Sequence, residues 1–201
     1  MPSIPYHAIE LVNYLVIESG SYELLGGSRV EAGRFSANAV GYFAAVQFKQ
    51  PFSTVPVVMT TTTSVNEGDA VAMRLRNITK TKFDYRIQEQ EANAQKHAPE
   101  EAGYIAWERS AGSMDGLVFE IVRTANSVTH KLQALPFYEP FSSPPVFLAK
   151  MQTFDSSDTA TVRWRRKKPT GIEVRVEEEQ SMDAERDHTT EVIGYMVFGA
   201  Q

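Results

Sequence analysis

The stretch PFSTVPVVMTTTTSVNEGDAVAMRLRNITKTKFDYRIQEQE, Pro51 to Glu91, returns 89 residues later as PFSSPPVFLAKMQTFDSSDTATVRWRRKKPTGIEVRVEEEQ, Pro140 to Gln180, with no gap between the copies. Identical pairs include Pro51/Pro140, Phe52/Phe141, Pro56/Pro145, Asp69/Asp158, Arg74/Arg163, Arg76/Arg165, Arg86/Arg175 and Glu89/Glu178. An internal repeat decides how a chain divides, so it is read first. Inside each copy an apolar, β-branched or aromatic run follows a proline (Pro56 to Thr62, Pro145 to Met151), the place where a strand tolerates one. Turn clusters come next, at Asn66–Asp69 and Asp155–Asp158. Val71–Arg76 and Thr161–Arg165 then alternate with period two, as do Phe83–Gln88 and Ile172–Glu177. Alternating short runs with turn signals every 8 to 12 residues predict an antiparallel β-sandwich.

The alternation assigns faces. Met73, Leu75, Val162 and Trp164 are expected inward, with Phe83, Tyr85, Ile87, Ile172, Val174 and Val176 on the next strand. Arg74, Arg76, Arg163 and Arg165 are expected outward, beside Arg86, Gln88, Arg175 and Glu177. Two readings of these matched arginines stand side by side. They form a cross-strand ladder with Glu and Gln, or one arginine per unit offers its fork of donors to a ligand.

A second pattern occurs three times. His97-x-x-Glu100-x-x-Gly-Tyr104 and His188-x-x-Glu191-x-x-Gly-Tyr195 each precede an apolar run, and His7-x-x-Glu10-x-x-Asn-Tyr14 precedes Leu15-Val16-Ile17. The chain thus holds three ends of the repeat and two beginnings. Residues 7–18 are expected to be the last strand of a unit whose front is missing. Gly26-Gly27 and Asp115-Gly116 lie between short runs and predict hairpins. The expected fold class is all-β: two tandem antiparallel β-sandwiches with an extra N-terminal strand and hairpin. The expected division is an orphan strand and lead-in hairpin over 1–45, a first unit over 46–108, a variable connector hairpin over 109–132, and a second unit over 133–201.

Composition narrows the function. The chain has 201 residues, 42% of them hydrophobic, and a net charge of −5. That describes a globular chain without the basic footprint of a nucleic-acid binder. There is no cysteine, hence no disulfide and no thiolate metal site. No signal peptide is read in MPSIPYHAIELVNYLVIE, and no apolar run reaches the roughly 20 residues of a membrane helix. No nucleophile elbow, P-loop or His-Glu-x-x-His is present, so no enzyme activity and no cofactor are expected. A His and a Glu three residues apart could hold a metal with help from elsewhere. The simpler reading is that the triplicated pair fixes the turn into the last strand, so no metal is expected.

The run Phe137-Tyr-Glu-Pro-Phe-Ser-Ser-Pro144-Pro145-Val-Phe-Leu148, then Val162-Arg163-Trp164, Pro169-Thr-Gly171-Ile172 and a closing apolar strand, resembles the H-type lectin domain of snail agglutinins and discoidins. Phe48-Lys-Gln-Pro-Phe52 and Pro56-Val57 repeat the resemblance in the first unit. It implies a six-stranded antiparallel sandwich, assembly as a trimer or a multiple of one, and N-acetylgalactosamine or galactose bound at subunit boundaries. The sugar-contacting arginine of that family lies nine residues before the apolar residue of the turn, which fits Arg163 before Ile172 and Arg74 before Phe83. Asp69 and Asp158 join them as candidate carbohydrate contacts. The loops Gln90–His97 and Gln180–His188 carry no tryptophan, where the family stacks sugar on a Trp-His pair. The implied function is non-catalytic glycan recognition or adhesion on a cell-surface glycan, in an extracellular, cell-surface or virion setting. The alternative is a structural assembly protein of a virion (a decoration, fibre or tail component) or of a surface layer.

Overall fold

The computed structural model describes residues 12–24, 26–93 and 95–200, and every regular element in it is a strand. The strands are β1 (Gly20–Glu23), β2 (Arg29–Ala37), β3 (Ala44–Gln47), β4 (Val57–Thr62), β5 (Val71–Arg76), β6 (Lys82–Glu89) and β7 (Glu100–Trp107) in the first unit. The second holds β8 (Ser110–Met114), β9 (Leu117–Val128), β10 (Gln133–Pro136), β11 (Val146–Met151), β12 (Ala160–Lys168), β13 (Gly171–Glu178) and β14 (Glu191–Gly199). Each unit faces a four-stranded sheet with a three-stranded one. The orders are β1-β2-β7-β4 with β3-β6-β5, and β8-β9-β14-β11 with β10-β13-β12. Every ladder between these strands is antiparallel.

The stretches expected to be connectors belong to the sandwiches. β2 pairs along all of β7, from Val30↔Trp107 to Ala37↔Glu100, and β9 pairs along β14 from Val118↔Gly199 to Val128↔Glu191, with register shifts between Glu191 and Gly194. The reason is a buried carboxylate in each. Glu31 accepts hydrogen bonds from the Lys49 amide (2.9 Å) and the Tyr104 hydroxyl (2.7 Å). Glu120, 89 residues on, accepts the Tyr138 amide at 2.8 Å. Each acid ties its strand to the lead-in of the opposite sheet. The sandwich therefore has seven strands, counting the short β1 or β8, where the resemblance implied six. Positive φ angles at Gly26 and Gly27 (97° and 81°) and at Asp115 and Gly116 (51° and 80°) close the β1–β2 and β8–β9 hairpins.

The inward faces make two matching cores. Phe48, Phe52, Leu75, Phe83 and Tyr104 fill the first, and Leu135, Phe137, Phe141, Ile172 and Tyr195 the second. Phe48 meets Phe52 edge-on with ring centres 4.8 Å apart, and Phe137 meets Phe141 at 5.5 Å. Trp164 departs from expectation. Its position matches the buried Leu75, yet it lies half exposed, packed on Phe147 and covered by Lys167.

A third core lies between the units. Val30, Val57 and Trp107 from the outer face of the first large sheet meet Phe119, Ile121, Met196 and Phe198 from that of the second. The contact joins the same face of both large sheets, yet its closest contacts are not reciprocal. Gly194 accepts Val57 so closely that an added Cβ would lie 2.8 Å from it, whereas at Gly103, the matching glycine, the nearest atom is 3.7 Å away. Gln152 fastens the same seam: its amide accepts from the Val58 N–H and donates to the Val58 carbonyl, both at 2.9 Å.

The expected strand over 7–18 is corrected. His7 and Glu10 lie outside the described residues, and 12–18 form no strand. Among the described residues no ladder partner flanks this segment. It runs extended over the seam, with Leu15 and Ile17 packed on the third core.

Candidate carbohydrate site at the boundary between the units

The outward arginines of the first unit are covered to different degrees: Arg74 is buried, Arg86 half-buried and Arg76 exposed. The Arg74 guanidinium reaches Glu191 at 3.0 Å, the Asp158 carbonyl at 2.7 Å and Gln88 at 3.3 Å. It also lies over the Phe154 ring, 4.6 Å from its centre. Arg76 lies over Phe43 at 3.7 Å and Arg86 over Phe154 at 5.7 Å. Burial lowers the Arg74 pKa, Glu191 opposes that, and Arg86 reinforces it. Burial raises the Glu191 carboxyl, but hydrogen bonds from His188, Thr153 and the Asp155 amide, together with Arg74, outweigh it, so its net shift is downward. Arg74 is thus an inter-unit clamp and unavailable to a sugar.

In the second unit the same positions are open. Arg163 is 60% exposed, with only Glu177 near it at 3.7 Å. Arg165 and Arg166 pair with Glu173, and Arg175 with Glu177. Arg165 and Glu173 are directly opposite on β12 and β13 and form the expected cross-strand pair, whereas Arg175 and Glu177 pair along β13. Asp69 is exposed on its turn. The Asp158 carboxylate accepts from Ser156 and Ser157 hydroxyls while its carbonyl holds Arg74.

The His-x-x-Glu motif is a brace in both units. His188 is held between Glu178 (2.7 Å) and Glu191 (3.2 Å), and His97 between Glu89 (3.3 Å) and Glu100 (3.2 Å). Glu100 also accepts the Ser64 hydroxyl and the Asn66 amide, and Glu191 accepts the Thr153 hydroxyl and the Asp155 amide. The motif pins the loop after β4 or β11 to the start of the last strand, which explains the recurrence of the spacing. Glu67, Glu89 and His97 place their ligand atoms within 4.8 Å of one another. The Glu67 carboxylate is occupied by the Ala98 amide at 2.6 Å, which accounts for its position without a cation.

The seam opens on two clefts. One of about 490 Å³ is lined by Thr60, Thr62, Lys150, Thr161, Arg163 and Glu177, among others. The second, about 800 Å³, runs beneath residues 13–19 and shares Thr60 and Lys150. The Thr60 hydroxyl is buried without a hydrogen-bond partner among the described residues. Lys150 has its pKa lowered to about 8 by burial and by nearby Arg74. The cleft therefore combines cations, carboxylates and free hydroxyls in a partly dry, concave surface, a composition suited to a polyhydroxylated ligand. No sequence signal pointed to Thr60 or Lys150. They line one cleft only because the second unit docks beside the first.

Residues 44–107, from the start of β3 to the end of β7, match the family model of the H-type lectin domain. That span is similar to the H-type lectin domain. The chain is also similar to Halomucin of Haloquadratum walsbyi (strain DSM 16790 / HBSQ001), 29% identical over 197 residues, which cover 96% of this chain and 2% of that protein. It thus spans about 2% of the length of that relative. No solved structure matches it. Among the described residues no helix is long and apolar enough to cross a membrane.

Proposed function

We propose that the protein is a non-catalytic glycan-binding module of two tandem H-type lectin-like units, acting in surface recognition or adhesion outside the cell. The observation that carries this reading is the polar cleft of about 490 Å³ at the seam, in a chain whose residues 44–107 match the H-type lectin family model. Arg163 supplies a free guanidinium fork to sugar hydroxyls. Lys150 and the Thr60 hydroxyl supply further donors, and Glu177 accepts. Asp158 shapes the adjoining turn and does not contact the sugar. The test is a broad glycan array followed by titration of the bound glycan. Arg163→Ala is expected to weaken binding at least about ten-fold, the loss of one charge-assisted hydrogen-bonding group. A well-folded protein that binds nothing on the array, or an Arg163→Ala variant that binds as tightly as the parent, would sink the reading.

A structural assembly role is the second reading. It is favoured by the one-way contacts between the units, Arg74 on Glu191 and Gln152 on Val58, because a heterologous contact leaves its matching groups unused at each end.

A further inference from the structure

The three last-strand segments align residue by residue: Val12 to Ile17, Ala102 to Trp107 and Ile193 to Phe198. In both complete units the first, third and fifth of these positions (Ala102, Tyr104, Ala106 and Ile193, Tyr195, Val197) face that unit's own core. The fourth and sixth (Ile105, Trp107 and Met196, Phe198) belong to the shared core at the seam. The leader splits in the same way. Leu15 and Ile17 pack on the shared core, while Val12, Tyr14 and Val16 are 77%, 78% and 81% exposed. Three copies of one sequence pattern, two of them strands, therefore meet at one apolar cluster, and the leader turns the side chains of its core-facing positions to water.

Two further vacancies agree. Phe154 and Glu191 of the second unit receive the arginines of the first. The matching residues of the first unit are Val65, 86% exposed, and Glu100, which has no Arg or Lys partner among the described residues. At the other end Arg163 is exposed, and Lys167 of the second unit already reaches the leader through Asn13 (3.2 Å).

We infer that residues 12–17 are the seventh strand of a third unit, and that an open sandwich of this same fold docks on the Val12/Tyr14/Val16 face. This partner has strands equivalent to β1–β6 and no seventh strand of its own. It lies outside residues 1–201. Its large sheet has a gap between its second and fourth strands, the place β7 takes between β2 and β4. Its arginine at the Arg74 position reaches Glu100, and the vacant face that includes Val65 receives it.

The probe is a polypeptide copy of residues 20–93, the first unit without its last strand, mixed with the full chain. Light scattering with size exclusion is expected to show a 1:1 complex, and Val12, Tyr14 and Val16 to gain protection in hydroxyl-radical footprinting. The double variant Val12→Asp/Val16→Asp should abolish the complex and leave the melting temperature of the chain itself unchanged, because both side chains are exposed. In a second form the same segment, extended through residue 96, is joined directly ahead of His7, so that solubility of the free probe does not decide the result. There the added strands should show slow amide exchange, lost in the double variant. Fast exchange in the joined segment, or a complex that ignores the double variant, would overturn the inference.

Discussion

The same three arginines stand on the same strands of both units and live differently. Arg74, Arg76 and Arg86 are stacked on Phe43 and Phe154 or clamped to Glu191. Arg163, Arg165 and Arg175 lie in water beside Glu173 and Glu177. Sequence and strand geometry are shared, so the difference comes from what lies against the sheet. The turn at Phe154–Asp158 and Glu191 of the second unit lie against the arginine-bearing face of β3-β6-β5 in the first, and among the described residues none buries the matching arginines on β10-β13-β12. A buried ion pair that loses one partner leaves an uncompensated charge, whereas an exposed pair contributes little.

The sharpest way to break this comparison is to remove the arginine from each unit in turn. Arg74→Ala should destabilise the protein by about 3–5 kcal/mol in chemical denaturation. Arg163→Ala should stay within about 0.5 kcal/mol of the parent. Equal effects would mean that the seam does not bury Arg74. The glycine pair is a smaller contrast. Gly194→Ala drives a Cβ to 2.6 Å from the Gln152 side chain and 2.8 Å from Val57, and should cost about 1–3 kcal/mol. Gly103→Ala meets nothing closer than 3.7 Å and should cost under about 0.5 kcal/mol. Lys150 gives the smallest effect, with no matching charge in the first unit, where Thr61 takes its place. Its folded pKa of about 8 is below the usual 10.5, so the unfolded chain binds the extra proton between those values. The cost of charging it is complete below about pH 8 and relieved as pH rises toward 10.5. Lys150→Met should therefore raise stability by about 1–2 kcal/mol at pH 7 and by almost nothing near pH 10.5, read from melts at the two pH values.

Much of the fold was legible in the sequence. The gapless repeat, the proline-led strands and the alternation located β4 to β6 and β11 to β13. β2 and β9 were missed as repeat strands because their shared feature is one buried acid, Glu31 or Glu120, in otherwise dissimilar runs. An acid in a strand reads as surface unless its partners, the amides of Lys49 and Tyr138, are known. The candidate site was half legible. Alternation correctly turned Arg74 and Arg163 away from their own cores, but it carries no information on which outer face a neighbouring unit will cover. The bracing role of the His-x-x-Glu motif could be read, since a pattern present in every copy is more economically explained by folding than by a ligand. Its second carboxylates, Glu89 and Glu178, were hidden at the ends of other strands.

Gln152 has a consequence beyond fastening the seam. β4 is an edge of its sheet, and the Gln152 amide takes both hydrogen-bonding groups of Val58 there, as a neighbouring strand would. One side chain thus closes a ladder that would otherwise be a template for adding strands from other molecules. Growth of any assembly is steered away from sheet extension at that edge and toward contacts between sheet faces. An array built from such units would lengthen by stacking, keeping each sandwich a separate cooperative body and sparing it the route into continuous fibrous β-structure.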